Sequence, residues 1–170
     1  EDIDISEDVV NSKPPYFLQW DKRWGYENYG DDIIGLSGCG PVCLSMVYTG
    51  LTGDTDKNPK AMSEFSEQNG YYEYGVGTSW SLMSEGAANL GLNVEELQLS
   101  ENTMINNLEN GNPIICSMRS GDFTTTGHFI VIYGCDEEGF LVYDPNSREN
   151  SNKKWTFGDL QWQISNLWGY

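Results

Sequence analysis

Three residues have the types and settings for acyl-transfer chemistry: Cys39, His128 and Asp144. Cys39 stands between Gly38 and Gly40, just before Pro41 and the apolar run Val42 to Tyr48. Proline suits the first turn of a helix, so this segment reads as a thiol at a helix N-terminus. Unpaired N–H groups and the positive end of the macrodipole favour thiolate there, lowering the thiol below its free value of about 8.5. The same N–H groups could hold an oxyanion, and flanking glycines leave room for a substrate backbone. The segment alone fits a buried cysteine between turn glycines equally well. His128 is the only histidine, so any imidazole mechanism must use it. It follows Thr124-Thr125-Thr126-Gly127 and opens the run Phe129 to Tyr133, where an ordinary structural histidine would also fit. Asp144 follows Phe140 to Tyr143 and precedes Pro145. If the two runs form a hairpin through Gly139, His128 and Asp144 become neighbours at one sheet end, provided the register allows it. A carboxylate there would orient the imidazole, and a thiol within reach would complete a nucleophilic set.

The elements that must hold these groups fall into two halves. The helix after Cys39 is apolar on most sides and should be buried, with Gly50 and Gly53 at its end. A second helix is expected over Pro59–Asn69, capped by Asn58, facing inward with Met62 and Phe65 and stopped by Gly70. A third starts near Thr78-Ser79, with Leu82, Met83, Gly86, Ala87 and Leu90 on one stripe and Gly91 at its end. A short fourth follows Ser100, with Met104, Ile105 and Leu108 inward and Gly111 as its stop. Strands are then expected at Pro113–Met118, Phe129–Tyr133 and Phe140–Tyr143. Phe157 to Leu167 reads as a helix or a mixed segment. Helices first and an antiparallel sheet afterwards give an α+β domain. Tyr16 to Ser37, aromatic and glycine-rich, should form turns and short extended pieces. Residues 1–15 are an acidic lead-in, either a linker or an arm on the domain, and the domain spans 16–170.

Gly38-Cys39-Gly40-Pro41, Gly127-His128-Phe129-Ile130-Val131 and Tyr143-Asp144-Pro145-Asn146-Ser147 resemble motifs of the double-glycine-leader (bacteriocin-processing) peptidase-like family. The chain is most similar to its stand-alone bacterial branch, found in secreted or cell-envelope proteins of Gram-positive bacteria. Gln19-Trp20-Asp21 with Arg23-Trp24-Gly25 resembles that branch's opening motif. Gly77-Thr78-Ser79-Trp80 and Asp144 to Asn150 resemble its later segments. The resemblance implies a papain-like cysteine peptidase fold with Cys39 as nucleophile, His128 as general base and acid, and Asp144 as orienting acid. It also suggests Gln19 as an oxyanion donor. In the transporter-fused relatives that glutamine lies only a few residues before the cysteine; here Trp20 to Gly38 intervenes. A double-glycine cleavage preference belongs to the transporter-fused branch and is not carried over.

The charge limits the partners. With 26 acidic and 9 basic residues the net charge is −17, which repels nucleic acid and anionic lipid headgroups. Around a peptide-binding cleft the same field would favour cationic or neutral peptides over acidic ones. Apolar residues make up 38% of the chain, but aromatics reach 13%, enough for one domain with a core. No apolar run is long enough to span a bilayer, so membrane insertion is not expected. An upstream targeting segment is expected to have been removed, and the resemblance implies a protein outside the cell or on its envelope.

Four cysteines are too few for a disulfide-built scaffold, and no C-x-x-C knuckle supports zinc. Cys43, Cys116 and Cys135 read as small buried hydrophobes. Asp54, Asp56 and Asn58 imitate the start of a calcium loop, but Pro59 stands where its glycine belongs and Phe65 where its glutamate belongs. No metal or cofactor is expected, and no phosphate-binding Gly-Lys-Ser or Gly-Lys-Thr occurs. Most of Tyr71, Tyr72, Tyr74 and the tryptophans should pack the core. Trp80, in a glycine-flanked turn, is the candidate for a substrate groove, with Gly38, Gly40 and Gly127. The expected function is peptide hydrolysis by a monomer. The alternatives are an amidase or acyltransferase on cell-wall peptides and a non-catalytic envelope binding module.

Overall fold

The computed structural model describes residues 2–11 and 13–170. The acidic lead-in lies on the domain as an arm. Ile5 is fully buried in the core. A 3-10 turn at Ser6–Asp8 sets Asp8 against Arg23 at 2.8 Å, and the same guanidinium holds Asp21 at 2.9 Å. Further along, Pro14 packs on Gly50, where any Cβ would come within 2.7 Å of the Pro14 Cα. The fold therefore begins well before Tyr16. Glu1 and Ser12, which also belong to the lead-in, lie outside the described residues.

Aromatic turns lead to a hairpin of β1 (Asn28–Tyr29) and β2 (Asp32–Ile33). One helical turn, α1 (Ile34–Ser37), then feeds α2 (Cys39–Thr52). Cys39 is the first residue of α2, Pro41 lies in its first turn, and Gly53 closes the helix at φ 73°. Helix α3 (Pro59–Gln68) is capped by Asn58, whose side chain accepts from Ala61 N, with proline in its first turn. That capping bond occupies the third residue of the imitated calcium loop, and Asp54 accepts from Tyr48 Oη at 2.8 Å.

The predicted third helix is broken. A small hairpin of β3 (Tyr72–Glu73) and β4 (Gly77–Thr78) precedes a 3-10 turn at Trp80–Leu82, and only then comes α4 (Glu85–Asn89). The apolar stripe is still inside, with Leu82, Met83 and Ala87 fully buried. Strand β5 (Glu95–Glu96) and helix α5 (Glu101–Glu109) follow, with Met104 and Leu108 inward.

The second half is the sheet: β6 (Ile114–Arg119), β7 (Gly127–Asp136), β8 (Gly139–Tyr143), a turn of helix α6 (Arg148–Ser151), β9 (Lys154–Trp155), another turn α7 (Phe157–Leu160) and β10 (Ile164–Gly169). The strand order is β5-β10-β6-β7-β8-β9, antiparallel throughout. Both faces are covered. Ile115, Val131, Tyr143 and Trp168 pack toward α2, while Cys116, Ile130, Ile132 and Val142 pack with Met104, Leu108 and Leu160. This double burial explains why β6 and β7 read as continuous apolar runs rather than alternating ones. The architecture is the α+β arrangement expected, a helical first half against an antiparallel sheet.

The β7–β8 register decides the geometry of the site. From the Gly139 turn, Asp136 pairs with Gly139, Cys135 with Phe140 and Gly134 with Leu141. The register then slips by one at Tyr133, so that Ile132 faces Val142 and Val131 faces Tyr143. β8 ends at Tyr143, and Asp144 follows it directly. His128 stands near the start of β7, beside the end of β8, and its Nε2 lies 2.7 Å from Asp144 Oδ1. Without the slip, Tyr143 would oppose Ile132 and the two strands would be one residue out of step at this end.

Candidate active site

Residues from both halves meet at the N-terminus of α2. Asp144 is fully buried, and His128 Nε2–H donates to its Oδ1 at 2.7 Å. That bond leaves Nδ1 as the ring nitrogen for Cys39, whose thiol engages His128 by hydrogen bond and by charge. Strand β8 ends at Tyr143, so the first residues of β7 have no strand partner on that side, and the Phe129 N–H is free to point at the Cys39 sulfur. The Gly40 N–H does the same.

The protonation states follow from this arrangement. Burial opposes ionisation of Cys39. The His128 charge and hydrogen bond outweigh it, helped by the two backbone donors, and hold the thiol below its ordinary value of 9.0. Burial likewise opposes the imidazolium of His128. The Cys39 charge and the Asp144 hydrogen bond overcome that penalty and push the ring above its ordinary 6.5. The pair favours thiolate with imidazolium. Cys43, one helical turn on, is driven the other way by burial, well above an ordinary thiol. Cys116 is also fully buried, whereas Cys135 is only partly so.

The sulfur opens into a cleft of about 480 Å³ bounded by Leu36, Val76, Trp80, Ser117, Gly127 and Phe129 among others. Among the described residues, no Asp, Glu, Lys or Arg lines it. Trp80 is half-exposed on its wall, pinned by an Nε1–H bond to Ser117 Oγ at 3.0 Å and by edge contact with Trp168 at 5.8 Å. Gly127 is exposed at the rim, with open space where a side chain would stand. Gly38 and Gly40 are placed differently. Both are buried and neither lines the cleft. A Cβ on Gly40 would lie 2.8 Å from Thr78, and one on Gly38 2.6 Å from Ile34. The missing side chains make room for the protein's own chain, Thr78 beside Gly40 and Ile34 beside Gly38.

Gln19 is also buried and off the cleft surface. Its backbone N–H donates to Pro145 O at 2.7 Å and its Nε2 to Gly35 O at 3.1 Å. It ties the loop carrying Asp144 to the turn before Cys39, despite the long intervening sequence. The second amide proton has no partner among the described residues, and Oε1 is buried without one.

Sequence reasoning missed the frame around Asp144. Asn150 Nδ2 donates to Asp144 Oδ2 at 3.0 Å, and Asn146 N to Oδ1 at 2.8 Å. The Asp144 N–H reaches Ser151 Oγ at 2.8 Å, and Tyr16 Oη donates to the Asp144 carbonyl at 2.7 Å. Tyr16 also stacks on Tyr143 at 4.7 Å. The only local signal was the capping residue Ser147, whose Oγ accepts from Asn150 N and winds the chain back over Asp144.

The Peptidase_C39 like family model matches residues 13–168. Among solved structures, the peptidase domain of Streptococcus ComA, a bi-functional ABC transporter involved in a quorum sensing pathway, is similar with a TM-score of 0.60 at 18% identity. That match covers 79% of this chain and 90% of that one. A C39-like peptidase from Bacillus anthracis is similar with a TM-score of 0.52 at 17% identity, covering 95% of this chain and 96% of that one. At these identities the likeness is one of fold. No curated protein matches the chain. With a family model spanning nearly the whole sequence and a fold shared with two peptidase structures, the chain belongs to the Peptidase_C39 like family.

Proposed function

We propose that the protein is a cysteine peptidase that cleaves peptide bonds through Cys39, His128 and Asp144 and a thioester acyl-enzyme. The observation that carries this reading is the relay itself: a fully buried carboxylate holds one imidazole nitrogen while the ring engages a thiol at a helix N-terminus, open to a cleft. The Cys39 thiolate attacks the carbonyl carbon, forming the S–C bond. Backbone N–H groups at the start of α2 hold the oxyanion. The C–N bond breaks as the His128 imidazolium gives its proton to the leaving amine. The neutral ring then takes a proton from water, whose hydroxide attacks the thioester. The S–C bond breaks, releasing the carboxylic acid and restoring thiolate. A purely binding module would need no such thiol–imidazole pair.

The pH dependence tests the reading without a known substrate. Cys39 lies below the ordinary thiol range and His128 above the ordinary imidazole range, so the reactive ion pair spans the interval between them. Alkylation of Cys39 by iodoacetamide should already be fast at neutral pH and fall as acid protonates the sulfur. Hydrolysis should fall again in alkali as His128 loses the proton destined for the leaving group. Peptide mapping locates the alkylated cysteine. A rate at Cys39 no faster than that of an unactivated thiol at neutral pH overturns the proposal.

The cleft indicates the substrate's charge. It offers no lysine or arginine to an acidic peptide, and the protein as a whole carries −17. Neutral peptides should be accepted, and cationic ones steered in by the long-range field. For a lysine-rich peptide kcat/KM should fall by up to about tenfold from low to physiological salt, while a neutral one changes little. Equal salt sensitivity of the two would remove the steering term. Acyl transfer on cell-wall peptides would use the same thioester; purified muropeptides assayed beside a peptide library distinguish it.

A further inference from the structure

The Asp144 carboxylate has no lysine or arginine partner among the described residues, yet it is fully buried. Its charge is carried by three neighbours. Oδ1 takes His128 Nε2–H and the Asn146 N–H, and Oδ2 takes Asn150 Nδ2. Two of these bonds lie on one oxygen and leave rotation about the carboxylate axis unresolved. The Asn150 bond is the one that fixes the second oxygen.

The side chain of Asn150 has no other hydrogen-bond partner among the described residues. Its backbone is held independently, the N–H by Ser147 Oγ at 3.1 Å and the carbonyl by Trp155 Nε1 at 2.9 Å. The turn α6 is therefore closed at both ends by groups that do not need the Asn150 amide. A residue whose backbone makes the turn and whose side chain serves only the carboxylate is placed for the site and not for the fold.

We propose that Asn150 is a positioning residue, whose amide holds the Asp144 carboxylate turned toward His128. The inference rests on the reading of Cys39, His128 and Asp144 as the reacting set. A carboxylate with one oxygen left without a donor is free to turn, and a misaligned hydrogen bond to His128 supports its imidazolium less well. Outer partners that orient reacting or metal-binding groups contribute about 10- to 100-fold where this has been measured.

The test is the pH profile of Cys39 alkylation by iodoacetamide, followed by mass spectrometry of the mapped peptide, with Tm recorded for each variant. Asn150→Leu keeps the size and removes the donor. Asn150→Ser, too short to reach Oδ2, repeats the loss in a different shape in case the leucine disturbs folding. Asn150→Gln retains an amide. The expected result is an acid limb displaced to higher pH in the Leu and Ser variants, with alkylation on that limb slowed about tenfold, and a profile restored toward wild type in the Gln variant. A purely structural role would lower Tm while leaving the limb in place. Folded Leu or Ser variants whose profiles superimpose on wild type overturn the inference and leave the triad standing. A wild-type profile without the low-pH limb overturns both.

Discussion

The His128→Ala protein should lose peptide hydrolysis by about 10⁴- to 10⁶-fold, the scale seen when one member of a cooperating catalytic set is removed. Two losses coincide. The leaving amine no longer receives a proton, and Cys39 loses the positive charge that offsets its burial. The Phe129 and Gly40 N–H groups remain, so the sulfur moves up toward an ordinary thiol without becoming inert. Alkylation at neutral pH should slow while alkylation in alkali recovers. The variant also leaves Asp144 buried without its 2.7 Å partner, which costs about 1–3 kcal/mol, so Tm belongs beside the kinetics. A variant that keeps wild-type alkylation at neutral pH would show that the thiol is activated by the helix and backbone alone.

Trp24→Ala should produce the largest loss of stability. Trp24 is fully buried, makes edge contact with Phe17 at 5.4 Å, and donates from Nε1 to the Leu18 carbonyl at 2.8 Å. The Arg23 guanidinium lies 4.4 Å over its ring. Removing so large a side chain costs about 3–5 kcal/mol and also strands the Leu18 carbonyl. Against a total of about 5–15 kcal/mol for a domain, this is a substantial share. The thermal midpoint should drop on the order of 10 °C. The damage would not stay local. The irregular stretch around Trp24 is held by Gly25 N to Asp21 O at 2.7 Å and by Gly35 N to Gly25 O at 2.9 Å, and it leads directly into α1 and Cys39. Activity should therefore fall at temperatures where the wild type is still folded. An unchanged midpoint would mean that the loop repacks around the gap.

The sequence made the reacting residues legible because each stands at a punctuation point: a cysteine between glycines before a proline, a histidine at a strand start, an aspartate before a proline. Hairpin logic brought the last two together. It could not supply the register, because the bulge at Tyr133 leaves no local mark, yet it shifts the pairing of the two strands by one residue. The place of β10 between β5 and β6 was equally hidden, since it depends on pairing across about half the chain. Ile5 sits in a stretch dominated by acidic residues, and only the finished core shows that it is buried. Gly40 shows a different limit. Its lack of a side chain was evident, but the tenant of the space, Thr78, comes from a hairpin remote in sequence. Asn150 was invisible for the same reason as any outer partner: its role exists only once the chain has turned back on Asp144.

The solitary imidazole also has a practical consequence. His128 is buried at the centre of the site, and no second histidine exists anywhere in the chain. Its ring signals in a nuclear magnetic resonance spectrum therefore need no assignment by mutagenesis. A single pair of ring nitrogen shifts, followed through a titration, would report both the tautomer fixed by Asp144 and the pH at which the relay loses its proton. The protein carries its own spectroscopic label at the one position where a reporter is most wanted.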